Sequence, residues 1–208
     1  MKRTRNTVRK AVEELKAEAP RCWWRQNAYG VDDIAGEQFV FEIAHDEMGM
    51  ETTVASDITK LYGLTRRTRT AAINASILPK MLNTANSTEE SVRKAGVEVP
   101  LMIMRGDGGV MEINEMKKRP VLTMLSGPAA SVMGSLMYLR ASNGVYFEVG
   151  GTTTNIGVIK NGRPAIDYSV VGGHRTYISS LDVRVLGVAG GSMIRVNKSG
   201  VHDVGHVP

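Results

Sequence analysis

The apolar residues in the first half of the chain recur at helical spacing. Val8 and Val12 define the apolar side of a first amphipathic pattern. Pro79 lies inside a third and longer pattern, where it predicts a kink. Ser87 and Glu90 have the spacing of a capping box, which predicts that a separate helix begins there. The predicted helices are 6–18 ended by Pro20, 37–48 closed by Gly49, 56–83, and a short helix from Ser87 to Gly96.

The second half of the chain consists of short apolar runs separated by glycine-rich turns, a pattern that predicts strands. Asn161 and Gly162 form the pair that suits a type I′ hairpin turn. Ser126 followed by Gly-Pro predicts a capped helix start, with the helix continuing to about Arg140. The predicted strands are 101–104, 121–125, 145–149, 156–160, 165–171, 181–186 and 193–196.

One run in this half, V-Y-F-E-V-G-G-T-T-T-N-I-G-V, joins a strand pattern directly to a glycine–threonine turn. Gly150 and Gly151 let the backbone bend and approach an anion closely. Thr152, Thr153 and Thr154 add hydroxyls beside the backbone N–H groups. The turn therefore has the composition of a phosphate-binding loop, although the same residues also suit a plain hairpin.

The composition of the 208 residues, 42% hydrophobic and 5% aromatic, allows one sizeable or two small α/β units with an aliphatic core. The patterns place a soft boundary near residue 60, between an N-terminal helical segment, 1–60, and an α/β domain, 61–208. The single cysteine, Cys22, excludes an internal disulfide framework and favours a reducing compartment. We therefore expect a cytoplasmic protein.

The charge pattern does not favour nucleic acid or membrane as a partner. The net charge is +5, but the basic clusters at the N-terminus and around Arg66 lack interleaved aromatic residues. No run of eighteen apolar residues exists, and the basic N-terminus is not followed by the apolar segment of a signal peptide. We expect neither nucleic-acid binding nor membrane insertion.

The order of several short motifs makes a family resemblance specific, because each motif alone is weak. The chain resembles the A subunits of the hydantoinase/oxoprolinase family over residues 28–196. The matching pieces are N-A-S-I-L-P from Asn74, L-M-I-M-R-G-D-G-G from Leu101, R-P-V-L-T from Arg119, S-G-P-A-A from Ser126, E-V-G-G-T-T-T-N from Glu148, N-G-R-P from Asn161, V-G-G-H-R-T from Val171 and G-V-A-G-G-S from Gly187.

This resemblance implies an actin-like ATPase fold, which is related to ribonuclease H: mixed sheets flanked by helices in two related domains that clamp a nucleotide. It implies ATP and Mg²⁺ as cofactors and an ATP-driven opening of a cyclic amide such as 5-oxoproline or hydantoin, while relatives carboxylate ketones. It also implies a second, B-type subunit or domain as partner. Only the second of the family's two phosphate loops is present, so the chain corresponds to an internal part of a larger subunit.

The resemblance also assigns roles to individual residues. In the family pattern D-x-G-G-T-[ST]-T-D, Glu148 stands for the first aspartate and Asn155 for the last. Glu148 would hold a hydrated cation through water or orient the attacking water. Asn155 has no negative charge, so a catalytic role at this position is in doubt unless the residue only caps the turn. The implied nucleotide contacts are Gly150, Gly151, Thr152, Thr153, Thr154, Gly190, Gly191 and Ser192.

Two other functions remain open from the residues. The chain could be a non-catalytic scaffold that keeps the actin-like shape, or a small-molecule kinase of the same superfamily. Further residues have weaker signals: Asp107 suits a turn, and His174 with Arg175 could carry a proton or contact phosphate. His202 and His206 have helical metal spacing, but nearby glycines argue against a helix and a zinc site.

Overall fold

The computed structural model describes residues 2–18, 23–25, 31–140 and 142–205, with the backbone alone for 2–3, 15–18 and 23–25. Pro20, Cys22 and His206, which were considered above, lie outside the described residues. The helices are α1 (Lys2–Glu18), α2 (Ala35–Phe41), α3 (Ala55–Ile58), α4 (Leu64–Lys94), α5 (Ile113–Lys118) and α6 (Ser126–Leu139), with a π-helical segment (Glu42–Glu47) after α2 and a 3₁₀ helix (Pro120–Thr123) after α5.

The strands form several small sheets. The first two strands pair in parallel, and the strands of the largest sheet pair antiparallel in the order β10-β6-β5, with β7 on β6. Three further pairs are β3-β4, β8-β9 and β11-β12. The strands are β1 (Trp23–Arg25), β2 (Thr52–Val54), β3 (Met102–Met104), β4 (Val110–Glu112), β5 (Gly144–Val149), β6 (Thr154–Lys160), β7 (Arg163–Pro164), β8 (Ile166–Val171), β9 (His174–Leu181), β10 (Val183–Leu186), β11 (Met193–Asn197) and β12 (Gly200–Gly205).

The chain divides into two compact units, of which the first comprises residues 1–103, 110–124 and 168–178. Val12 of α1 packs with Val40, Ala44 and Met50 in one apolar cluster. A second cluster joins α4, β4 and α5 through Ala85, Met111, Ile113 and Met116. Residue 60 lies within this unit, and the division into segments 1–60 and 61–208 stays a prediction.

A buried ion pair ties α2 to α4 in the first unit. The Arg67 guanidinium and the Glu37 carboxylate are both fully buried, with Nη2 and Oε1 3.0 Å apart. Glu37 Oε2 also accepts a hydrogen bond of 2.9 Å from the backbone N–H of Ser56, and Arg67 Nη1 donates to the carbonyl of Thr59 at 3.1 Å. The pairing and these hydrogen bonds offset part of the desolvation of both groups, although the buried Arg67 Nε has no hydrogen-bond partner among the described residues.

The second unit comprises residues 104–109, 125–167 and 179–208 and contains every residue in the predicted nucleotide set. Ala129 and Val132 of α6 pack with Leu181, and Tyr146 and Val183 of the largest sheet pack against them. Helix α6 therefore covers one face of that sheet. On the opposite face Val145, Phe147 and Val149 are 58%, 62% and 66% exposed, so the described residues leave that face open to solvent.

Four local predictions were wrong. The helix predicted over 56–83 is interrupted, because α3 ends at Ile58 and α4 begins at Leu64. Residues 121–125 do not form a strand, because Pro120–Thr123 is a 3₁₀ helix and the N–H of Val121 donates to the Asn74 side chain at 3.0 Å. The capping box at Ser87 does not start a helix, because α4 continues to Lys94 and Glu90 pairs with Lys94 instead. Ser126 does not cap α6: the residue before the helix is Leu125, at φ 59° and without a side-chain cap.

Other local predictions are confirmed. Helix α1 covers the predicted 6–18, and α2 with the π-helical segment covers the predicted 37–48, with Gly49 at φ 63° beyond it. Asn161 and Gly162 both have positive φ, at 51° and 71°, as a type I′ turn requires. Helix α4 continues through Pro79 without interruption, and the predicted kink there stays a prediction.

None of the helices in the described part of the chain combines the length and the hydrophobicity that a membrane-spanning helix needs.

Candidate functional site

The glycine–threonine turn joins β5 to β6 as a tight antiparallel hairpin. Val149 pairs with Thr154 at the ends of the strands, and the N–H of Gly150 donates to the carbonyl of Thr153 at 3.0 Å. The hairpin interpretation is thus confirmed. It does not exclude a phosphate loop, because a hairpin turn can still direct unpaired N–H groups outward.

The turn presents a run of unpaired donors. The N–H groups of Gly151, Thr152 and Thr153, and the hydroxyls of both threonines, make no hydrogen bond to any residue in the described part of the chain. Gly151 and Thr152 are exposed, and a Cβ built on Gly151 would have no heavy atom within 4 Å. Consecutive unpaired backbone donors in a turn are a feature of anion-binding sites.

A second loop, residues 187–192, is hydrogen-bonded to this turn. The N–H of Gly190 donates to the carbonyl of Gly150 at 3.0 Å, and the N–H of Gly191 donates to the carbonyl of Gly151 at 2.8 Å. Thr154 adds a side-chain bond, because its Oγ1 donates to the carbonyl of Val188 at 2.6 Å. These bonds engage the carbonyls of the turn and the Thr154 hydroxyl, and leave the N–H groups of Gly151, Thr152 and Thr153 unpaired among the described residues.

The N–H groups of Gly190 and Gly191 are used within the protein, because both donate to carbonyls of the turn. The nucleotide contacts implied for Gly190, Gly191 and Ser192 stay a prediction. Ser192 is likewise engaged, because its N–H donates to the carbonyl of Ala189 at 2.9 Å and its Oγ accepts from the N–H of Ala189 at 3.0 Å. The glycines allow the two loops to approach: a Cβ on Gly190 would lie 3.4 Å from the Gly150 oxygen.

Glu148 and Asn155 lie directly opposite each other on β5 and β6. The Asn155 Nδ2 donates to Glu148 Oε2 at 3.0 Å, and the hydroxyl of Tyr146 donates to the same oxygen at 3.3 Å. The hydrogen bond from Asn155 lowers the pKa of the Glu148 carboxyl, burial opposes it, and hydrogen bonds from Ser131 and Tyr146 lower the pKa further. Glu148 is therefore held as a carboxylate.

One buried acceptor beside this carboxylate has no protein partner. Asn155 is 8% exposed, and its Oδ1 accepts no hydrogen bond from the described residues. The orientation of the amide is fixed because Nδ2 must face the carboxylate, which can only accept. A buried, unpaired oxygen next to a carboxylate suits a bound water or a water ligand of a hydrated cation.

The remaining candidate residues from the sequence, Asp107, His174, Arg175 and His202, lie outside the glycine–threonine turn. Asp107 has a turn role, since its Oδ1 accepts from the N–H of Gly109 at 3.0 Å and its Oδ2 pairs with Arg105. His174 and Arg175 belong to the first unit, whereas the glycine–threonine turn belongs to the second. His202 lies on β12, so the expectation that it is not on a helix is confirmed.

Sequence reasoning missed two residues that contact Glu148. Tyr146 lies two positions before it on the same face of β5, a relation that strand alternation alone could have indicated. Ser131 lies on α6, far away in sequence, and no local pattern places it against β5. Val188 is a third omission, because it contributes only its backbone carbonyl.

Comparison with known proteins shows to which family the chain belongs. Residues 67–208, more than half of the chain, match the sequence model of the family described as Hydantoinase/oxoprolinase. The chain belongs to the hydantoinase/oxoprolinase family. The acetophenone carboxylase gamma subunit of Aromatoleum aromaticum is 28% identical over 182 residues, which are 80% of this chain and 24% of that subunit.

A caprolactamase of Pseudomonas jessenii is similar to this hydantoinase-family chain in both sequence and structure. Its alpha subunit is 27% identical over 143 residues, which are 67% of this chain and 20% of the subunit. The crystal structure of the ATP-dependent caprolactamase superposes with a TM-score of 0.77 at 20% identity, covering 96% of this chain and 30% of that one.

Acetone carboxylase, in a nucleotide-free structure concerned with ATP-dependent acetone carboxylation, has the same fold over this region. The TM-score is 0.76 at 19% identity, covering 96% of this chain and 29% of that one. The α/β class and the actin-like ATPase fold that the resemblance implied are therefore confirmed. The chain spans between 20% and 30% of the length of these relatives.

Proposed function

We propose that this chain is the part of an ATP-dependent enzyme that binds the nucleotide phosphates while a carbonyl compound is activated. The observation that carries the proposal is the run of unpaired N–H groups at Gly151, Thr152 and Thr153, held in place by the loop at Gly190 and Gly191. The names of the relatives support ATP as the nucleotide, since caprolactamase and acetone carboxylase are both described as ATP-dependent.

The roles within the site follow from its donors and acceptors. The N–H groups of Gly151 to Thr153 would hold phosphate oxygens, and the hydroxyls of Thr152 and Thr153 would add contacts to the same oxygens. Gly190, Gly191 and Thr154 would act as positioning residues, because their hydrogen bonds fix the turn rather than the ligand. Ser192 would act in the same way through its bond to Ala189.

Glu148 fits a hydrated magnesium ion better than direct coordination. Among the described residues no group of three or more His, Cys, Asp or Glu side chains could hold a metal ion. Magnesium is commonly bound through one or two carboxylates, several waters and the phosphates of the nucleotide, and Glu148 with the unpaired Asn155 Oδ1 suits the waters. When bound, the ion would neutralise charge on the transferred phosphate.

The reaction class that fits this site is phosphorylation of a carbonyl or amide oxygen. In the hydrolytic version, ATP transfers its γ-phosphoryl group to the amide oxygen of a cyclic amide and ADP leaves. Water then adds to the amide carbon and the C–N bond breaks, which opens the ring and leaves an acyl phosphate. A second water hydrolyses the acyl phosphate to the carboxylate and free phosphate. The carboxylase names among the relatives support a ketone as the alternative substrate class. We propose the cyclic amide, such as a lactam, hydantoin or 5-oxoproline, and a partner subunit that completes the enzyme.

Asn155 favours a second candidate, a scaffold domain that binds nucleotide weakly or not at all. The amide supplies no negative charge, and its Nδ2 donates a hydrogen bond to Glu148. A scaffold would therefore keep the hairpin and the fold without turnover. The two candidates differ in a direct measurement of nucleotide binding.

Isothermal titration calorimetry with Mg-ATP tests the proposal. We expect saturable binding by the wild-type chain and at least a roughly tenfold loss in Gly151→Val, because the added side chain occupies the space above the donors. Gly144→Val is the matched control: Gly144 lies at the other end of β5 and a Cβ there also has no heavy atom within 4 Å. We expect the control to bind as the wild type does.

The outcomes separate the candidates. Equal binding by wild type and Gly151→Val would contradict the phosphate site. No binding by the folded wild-type chain would move the same titration to the full-length subunit, where a second failure would favour the scaffold. Substrate class is tested on the assembled enzyme with its partner subunit, by measuring ADP release with 5-oxoproline or hydantoin, and with acetone plus bicarbonate. Stimulation by the ketone alone would replace the cyclic-amide proposal.

A further inference from the structure

The first unit contains a cleft that has no residue of the predicted nucleotide set. Its volume is about 780 Å³, and its walls come from α2, the π-helical segment, β2, α3, α4 and α5. All of these elements belong to the first unit, so the cleft is formed within one compact body. Clefts of this size are typical of small-molecule sites.

The cleft has an apolar side that a hydrocarbon body could contact. Leu78 and Leu82 are one helical turn apart on α4 and both line it, together with Val54 from the end of β2. Phe41 also lines the cleft and stacks on His45, with ring centroids 4.8 Å apart. His45 lies in the π-helical segment, a kind of helical irregularity that is frequent at functional sites.

Three of the four Lys and Arg side chains that line the cleft are ion-paired and Lys60 is not, while the lining acids Glu51 and Asp57 have no ion-pair partner among the described residues either. Lys117 pairs with Glu89, while Lys118 and Arg119 both pair with Glu115. Lys60 also lines the cleft and has no acidic oxygen within 4.0 Å in the described part of the chain. An ammonium group on a long flexible side chain beside apolar surface is suited to binding the head of an organic anion.

Asp57 lines the same cleft, and its carboxyl interacts electrostatically with Lys60. Burial raises the pKa of its carboxyl, while the nearby charge of Lys60 lowers it. Lys60 thus interacts with Asp57 without forming an ion pair within 4.0 Å, and the ligand class rests on this cation and the apolar wall beside it.

We propose that this cleft binds a small organic carboxylate with an apolar body, whose carboxylate contacts Lys60 and whose body contacts Phe41, Leu78 and Leu82. This site goes beyond the proposed nucleotide function and does not depend on it. Sodium benzoate is the probe, and benzyl alcohol and benzylammonium are the matched neutral and cationic compounds with a similar body.

The experiment is a titration of each compound into the ¹⁵N-labelled chain, observed by amide chemical shifts in β2 and α3. We expect benzoate to bind with a Kd of about 1 mM, and the neutral and cationic compounds to bind more weakly. Lys60→Met keeps the apolar stem without the charge and should weaken benzoate about tenfold while changing benzyl alcohol less than about threefold. Lys80→Met, on an exposed position of α4 outside the cleft, should change neither.

A second variant tests the shape of the cleft without touching charge. Leu82→Trp should fill the space and weaken both benzoate and benzyl alcohol by at least about tenfold. Thermal unfolding of each variant verifies that it is folded. The proposal is overturned if folded wild type shows no saturation with benzoate, if benzylammonium binds more tightly than benzoate, or if Lys60→Met and Lys80→Met bind benzoate equally.

Discussion

Glu148 and Asn155 face each other across β5 and β6, and the Asn155 amide donates a hydrogen bond of 3.0 Å to the Glu148 carboxylate. The residue that departs from the aspartate of the family pattern is therefore a direct partner of the carboxylate expected to act near the phosphates. A carboxylate at position 155 could not make this bond, because both groups would only accept hydrogen bonds when ionised. The amide and the acid at these positions act as a matched pair.

Removing this amide should raise the pKa of Glu148. We expect Asn155→Leu to raise it because the largest stabilising contact is lost, and Asn155→Asp to raise it further through like-charge repulsion. Carbon-detected NMR titration of the Glu148 carboxyl measures the effect, with Glu148→Gln to assign the signal. An unchanged pKa in both variants would contradict the role given to Asn155.

The contact between Glu148 and Asn155 should also make the free energy of unfolding depend on pH. The folded pKa of Glu148 is lowered, so its contribution to stability is present above the unfolded pKa and is lost as pH falls through the folded pKa. The destabilisation caused by Asn155→Asp should therefore be larger at pH 7 than at pH 3. Urea unfolding at both pH values measures it, and a difference that grows on acidification would contradict the assignment.

Thr154 and Thr152 should differ in what they contribute. Thr154→Val removes the bond to the Val188 carbonyl and should lower the free energy of unfolding by about 1 kcal/mol. Thr152→Val should change stability by less than about 0.5 kcal/mol, because its hydroxyl has no partner in the described part of the chain. Urea unfolding separates the two.

The binding behaviour of these threonine variants gives the complementary test. Thr152→Val should weaken Mg-ATP binding, since its hydroxyl lies in the exposed turn. Calorimetry on the variant, with its unfolding free energy measured in parallel, would show loss of affinity without loss of stability. Destabilisation by Thr152→Val with full ATP affinity would reverse the roles assigned here.

The buried pair of Arg67 and Glu37 should dominate the stability of the first unit. Arg67→Met would leave the Glu37 carboxylate buried without its cation and should cost about 3–5 kcal/mol. The double variant with Glu37→Met should cost less than Arg67→Met alone, because no uncompensated charge remains. Chemical unfolding of the three proteins tests this, and simple additivity of the two single changes would contradict it.

The left-handed backbone conformation of Arg140 should affect the stability of the protein. The residue ends α6 at φ 50° in the left-handed region and its side chain is exposed. Arg140→Gly should be more stable than Arg140→Ala by about 1 kcal/mol, because only glycine adopts this conformation without a Cβ clash. Thermal unfolding of the two variants measures the difference, and equal stability would show that the helix end relaxes.

Features that depend on a few neighbouring residues could be predicted. The positive φ of Gly49 and of the Asn161-Gly162 pair follow from residue types that tolerate that conformation. The hairpin at Gly150 follows from two strand patterns joined by a short turn. The family and its fold could be predicted as well, because the order of many short motifs is preserved along the chain.

Features that depend on distant partners could not be predicted. Residues 121–125 have strand composition, yet Asn74, far earlier in the chain, binds the N–H of Val121 within a 3₁₀ helix. Ser87 and Glu90 match a capping box, yet α4 runs past them to Lys94. In both cases a local preference of modest free energy gives way to the surrounding helical and tertiary structure.

The sequence by itself determined the turn residues, the alternation of the strands around them and the family to which they belong, because these are encoded within short windows. Only the tertiary structure decided that the Gly190 and Gly191 N–H groups donate to carbonyls of the turn, and that the Asn155 amide donates to Glu148. Each N–H has one bond to give, and which acceptor receives it depends on the packing of segments that are far apart along the chain.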